Sequence, residues 1–87
     1  MREVKLIDTF PNDIIRVNFR VDNSYIILKI KSIRVFHERM IITLESEVLE
    51  SSSPYISKFN KNLKILFHIN RRVIRYSNID EILPILL

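Results

Sequence analysis

The chain has 87 residues, with 14 Lys and Arg against 10 Asp and Glu for a formal net charge of +4, and it contains neither Cys nor Gly. That length suits one domain, expected over residues 1–87, near the lower limit at which a single core suffices without staples. The missing Cys exclude disulfides and thiolate metal sites, the missing Gly exclude glycine-cradle phosphate loops and dinucleotide fingerprints, and two His alone build no zinc site.

Ala, Gln and Trp are absent as well, while Ile, Asn, Lys and Arg are heavily used. Such a bias suits an AT-rich genome, as in many viruses and some archaea, and would also suit a thermophile. No apolar run approaches the roughly 20 residues that span a bilayer. The first residues, MREVKLIDTF, lack the apolar core of a signal peptide. The expectation is a cytoplasmic chain without a membrane partner.

In chain order, residues 3–9 (EVKLIDT) predict a short strand, and Phe10-Pro11-Asn12-Asp13 a turn. Residues 14–21 (IIRVNFRV) alternate strictly. Ile15, Val17, Phe19 and Val21 share one face, and Arg16, Asn18 and Arg20 the other, the pattern of a half-buried strand. Asp22-Asn23 suits a two-residue hairpin loop. That loop would place Val17 opposite Leu28, Arg16 beside Lys29 and Arg20 beside Tyr25.

Residues 25–36 and 40–49 complete a three-strand meander around a His37-Glu38-Arg39 loop. In this register Lys29 faces Glu47 and Lys31 faces Glu45, as cross-strand ion pairs on a solvated face. The apolar parity of the middle strand runs Ile26, Leu28, Ile30, then switches to Ile33 and Val35. A long strand bent at a bulge and shared between two layers does this.

Ser53 and Pro54 predict the start of a short helix near residues 54–60, with Tyr55, Ile56 and Phe59 as a lid over the open end of the sheet. Residues 63–69 (LKILFHI) form the next strand. Asn70-Arg71 suits a hairpin loop into residues 72–77, putting Ile74 and Tyr76 on the face of Ile65 and Phe67, and His68 beside Arg75. Asn78 and Glu81 predict a capped, short C-terminal helical segment interrupted at Pro84.

Together these elements predict an all-β (β-rich) chain, a small five- or six-stranded barrel or sandwich with two short helical pieces. Counted from residue 14, the element order is OB-like, and SH3-like barrels fit nearly as well. The comparison concerns element order alone.

A sequence pI near 9.7 points toward nucleic acid, although charge by itself also serves solubility. Arg16, Asn18, Arg20 and Tyr25 share one face, and Arg71, Arg72 and Arg75 cluster at the second hairpin. Guanidinium forks fit phosphate oxygens and an adjacent aromatic stacks a base, so these seven are the candidate nucleic-acid residues, with DNA and RNA undistinguished. The competing reading is an ordinary solvated sheet face. No nucleophile, acid and base converge by spacing, so no catalytic residue, metal or cofactor is expected. Ile82, Leu83, Ile85, Leu86 and Leu87 are too apolar for a free tail. They either fold back onto the sheet or dock into a protein partner or second copy. The chain is thus expected to be a non-enzymatic nucleic-acid-binding or ribonucleoprotein module, the alternative being an assembly subunit acting through strand edges and tail. A small inhibitor or adaptor is a third reading.

Overall fold

A computed structural model describes residues 2–87. The described chain is all-β, with six strands: β1 (Arg2–Lys5), β2 (Ile14–Asn18), β3 (Tyr25–Phe36), β4 (Ile41–Ser51), β5 (Leu63–His68) and β6 (Arg72–Arg75). They form one antiparallel sheet in the order β1-β6-β2-β3-β4-β5. The sheet has two edges, β1 and β5, and is not closed into a barrel. Helix is confined to three 3₁₀ turns and the four-residue α1 (Leu83–Leu86). No described helix is long and apolar enough to cross a membrane.

The long β3–β4 hairpin makes the sheet fold over itself. The first half of β3 pairs with β2, while the first half of β4 pairs with β5. Between them the register shifts at Ile30/Ser32, where Lys31 is the extra, bulged residue. The expected change of face is this bulge. Ile26, Leu28 and Ile30 before it, and Ile33 and Val35 after it, all pack on the same core, because one inserted residue reverses the parity of everything that follows. That core joins Leu6, Ile15, Val17, Ile42, Leu44, Val48, Phe67 and Val73, so five strands and the first 3₁₀ turn bury one shared cluster. A second shift leaves Leu49 as the extra residue of β4, where it turns to the opposite face.

The expected β3–β4 register holds up to Ile30, and it fails beyond the bulge and in the first hairpin. Leu28 faces Val48, Lys29 faces Glu47 and Ile30 faces Ser46, as the His37–Arg39 loop requires. The bulge removes Lys31 from Glu45. Lys31 Nζ donates instead to the Lys61 carbonyl (2.7 Å) and Asn62 Oδ1 (2.6 Å), while Glu47 pairs with Lys61 at 3.2 Å. The first hairpin is also wider than a two-residue loop. β2 ends at Asn18, opposite Tyr25, and Val17 faces Ile26. A type I′ turn needs positive φ at both central residues, yet only Asn23 adopts it (59°). Asp22 Oδ1 accepts hydrogen bonds from the Ser24 N–H (3.0 Å) and hydroxyl (2.6 Å), making an Asx turn within a longer loop. The resulting slip is two residues, so Ile15, Val17 and Phe19 keep the core face, whereas Val21, expected with them, lies in the widened loop and is exposed.

The helix expected near 54–60 is absent. Ser53 Oγ accepts the Tyr55 N–H, Ser57 Oγ the Phe59 N–H and Asn60 Oδ1 the Asn62 N–H. Each side chain captures a donor two residues on, which competes with the helical ladder. Of the expected lid, Ile56 packs on the core, while Tyr55 and Phe59 are exposed.

The second hairpin is the larger correction. Residues 69–71 do make a tight turn, closed by the Arg71 N–H to the His68 carbonyl (2.9 Å), but β5 and β6 do not pair. β5 stays on β4, and β6 crosses to lie between β1 and β2. Its parity is therefore reversed from expectation. Val73 enters the main core, and Ile74 and Tyr76 face outward. His68 is not beside Arg75. Its Nδ1 accepts the Asn70 N–H at 3.1 Å.

Tyr76 is buried nonetheless, in a second cluster on the outer face with Ile27 and Ile82. Ile14, Tyr25, Leu49, Ile85 and Leu86 pack around them, so the C-terminal tail folds back over half of that face. Pro84 stands at the start of α1, where its missing N–H costs nothing, rather than interrupting a helix. The preceding 3₁₀ turn is capped from Ser77, not Asn78: Glu81 accepts the Ser77 N–H and hydroxyl, each at 3.0 Å.

Candidate nucleic-acid interface

The outer face of β1, β6 and β2 that the tail leaves uncovered is a groove of about 480 Å³. Alternation places Arg16 and Asn18 on this face of β2, and Arg72 and Ile74 on this face of β6. Because β6 lies between its neighbours, Arg16 and Glu3 both stand opposite Ile74. The turn after β2 and the turn before β6 meet at one end, adding Arg20, Asn70 and Arg71 to the lining. The two arginine groups of the sequence, some 50 positions apart, thus reach one groove.

Each guanidinium is held differently. Arg16 lies over the Tyr25 ring, 4.1 Å from its centroid, and its Nε donates to Asn18 Oδ1 at 2.9 Å. Tyr25 is in turn packed against the second cluster, so the stack has a firm base. Arg72 Nε donates to Glu3 Oε1 at 2.7 Å as an exposed ion pair. Arg20 is exposed at the rim. Arg71 sits 5.8 Å from both the Phe19 and the Phe67 rings, and its Nη2 donates to the Asn18 carbonyl. Its Nε is buried without a hydrogen-bond partner among the described residues. Burial, and then the like charge of Arg20, hold the Arg71 pKa below the ordinary guanidinium value.

Among the described residues, Glu3 is the one carboxylate lining the groove, against four arginines. Such a concave, positively charged surface concentrates anions, and guanidinium groups match phosphate oxygens two at a time. Six of the seven expected nucleic-acid residues belong to this region: Arg16, Asn18, Arg20, Arg71 and Arg72 line it, and Tyr25 supports it from beneath Arg16. Arg75 does not join them. It faces Asp13 at 3.8 Å, with inward parity opposite Ile15.

Two polar groove residues, Glu3 and Asn70, lie outside the set expected from sequence. Glu3 becomes a neighbour only through the sheet order, and nothing local announces it. Asn70 was assigned to the turn alone. In the tail, Ile82 is fully buried, Ile85 and Leu86 are half-buried against the second cluster, and Leu83 and Leu87 are exposed. The signal for that fold-back was present: Ile26-Ile27-Leu28 is an unbroken apolar run, the mark of a strand buried on both faces.

Comparison of the chain with protein-family models, with curated proteins and with solved structures found no match.

Proposed function

We propose that this chain is a small, non-enzymatic module that binds nucleic acid through the groove of β1, β6 and β2. The convergence of Arg16, Arg20, Arg71 and Arg72 against a single groove carboxylate carries the reading. Arg20 and Arg72 supply charge from exposed positions and Arg16 from its half-buried place on Tyr25, and Asn18 and Asn70 supply amides. Arg71 acts mainly by holding the end of the groove in place. Of the barrel types considered from element order, the SH3-like one agrees better with the strand order, since β6 pairs with β2 and β5 with β4.

The test is fluorescence-anisotropy titration of labelled DNA and RNA, single- and double-stranded, at two salt concentrations. Binding should weaken as salt rises, with log K falling by about 0.7 to 0.9 per contacted phosphate against log salt. The double variant Arg16→Glu with Arg20→Glu should abolish it. Undiminished binding by a folded double variant would reject this groove.

The assembly reading keeps one supporting observation. The β5 edge is open, and Leu66 beside it is 58% exposed. Unpaired edges invite strand addition. Light scattering separates the readings: a mass well above one chain, reduced by Leu66→Lys, would favour assembly through β5.

A further inference from the structure

We propose that Arg16 is a base-stacking platform and that the groove therefore takes unpaired, single-stranded nucleic acid in preference to duplex. This rests on the groove being a nucleic-acid site. Three observations carry it further.

The first is the fixation of the Arg16 plane. The Tyr25 ring covers one face at 4.1 Å, and Asn18 Oδ1 holds the Nε edge at 2.9 Å. An arginine on a solvated sheet face ordinarily samples many rotamers. This one is stacked and tethered before any ligand arrives, so little entropy is lost on binding. Arg16 lines the groove and the Tyr25 ring beneath it does not. A planar guanidinium offers a nucleobase the same kind of surface as an aromatic ring, and protein–RNA sites use it so.

The second is the packing of Tyr25. Its ring is half-buried, packed on the second cluster and covered by Arg16. It is not among the residues that line the groove. It supports the platform from below, and it packs on the same second cluster as the tail residues Ile85 and Leu86.

The third is shape. A concave site of about 480 Å³ falls in the range of small-ligand pockets, enough for a splayed-out nucleotide. In a duplex every base is already stacked on its neighbours, so none is free to lie on Arg16. A duplex is also convex, so it would meet the exposed charges Arg20 and Arg72 rather than enter the groove. The phosphates flanking a seated base would face Arg20 and Arg72, with Asn70 at the end of the groove.

The experiment compares three probes on the full chain at fixed salt: a labelled oligothymidylate, an abasic strand with the same number of phosphates, and the duplex form of the oligonucleotide. The base-bearing strand should bind about tenfold more tightly than the abasic one, the scale of a single stack. Arg16→Lys keeps the charge and loses the plane. It should abolish the preference for the base-bearing strand over the abasic one, whatever it does to the affinity that both share. On the unmodified chain, a 2-aminopurine within the strand should gain fluorescence as it leaves its neighbouring bases for Arg16, a readout independent of any variant. Equal affinity for base-bearing and abasic strands, or tighter duplex binding, overturns the platform and leaves the groove a general polyanion site. Base preference that survives Arg16→Lys overturns the assignment to Arg16. Failure of all three probes to bind overturns both this inference and the nucleic-acid reading.

Discussion

Replacing Ile82 by Ala tests whether the tail is part of the fold. Ile82 is 0% exposed and packs with Ile27 and Tyr76 on the outer face. The substitution removes a buried branched side chain and leaves a void under a single layer of chain. Such Ile-to-Ala changes cost about 2–5 kcal/mol, the lower end applying where neighbours can relax into the gap. The cover here is a short 3₁₀ turn and the four-residue α1, free to settle inward, so the expected loss is about 2–3 kcal/mol. For a domain of this size each kcal/mol shifts Tm by roughly 4–8 °C, giving a drop of about 8–24 °C. Urea unfolding followed by far-UV circular dichroism measures it. Tyrosine fluorescence is a second probe, since Tyr76 lies in the same cluster. Leu87→Ala, at a fully exposed position, is the control and should stay within about 0.5 kcal/mol. Because the contact lies within one chain, the loss should not depend on protein concentration. A change below about 0.5 kcal/mol for Ile82→Ala, or one seen only at concentrations where the chain associates, would refute the fold-back.

Three further outcomes follow from local features. Met40 adopts left-handed backbone (φ 56°) and is nearly half exposed, so Met40→Gly should stabilise the chain by about 1 kcal/mol in thermal unfolding; destabilisation would show that its side-chain packing outweighs the backbone cost. Ser46 is fully buried opposite Ile30 with its hydroxyl unpartnered, so Ser46→Ala should be neutral or stabilising by up to about 1 kcal/mol, and a clear loss would mean the hydroxyl is satisfied in solution. The Ser24 hydroxyl and N–H hold the Asp22 carboxylate below its ordinary pKa of 3.8. A lowered folded-state pKa means this stabilisation is complete above about pH 4 and is lost as pH falls through the folded value. An NMR titration should therefore find Asp22 titrating below 3.8, with Ser24→Ala raising it; an ordinary value would reject the Asx turn.

The sequence on its own determined which side chains share a face and where the chain bends. Alternation assigned Arg16, Asn18 and Arg20 to one side and Ile15 and Val17 to the other, and the two-residue slip of the first hairpin preserved that assignment. The parity switch after Ile30 foretold the bulge that folds the sheet over its core. Both are local consequences of a period-two backbone, so they survive errors in turn length. Tertiary structure alone decided the neighbour of β6. Arg72–Arg75 has Val73 for one face and Ile74 for the other, continued by Tyr76, so its own pattern accepts either orientation. The choice follows from what each face buries at long range. Facing inward, Val73 completes the main core with Phe67, and facing outward, Tyr76 meets Ile27 and the returning tail. That crossing sets Arg72 beside β2 and Glu3 beside β6, and so makes one groove from residues that the sequence keeps far apart. Face and bend are written residue by residue, whereas strand order is fixed only when all the apolar surfaces compete for burial at once.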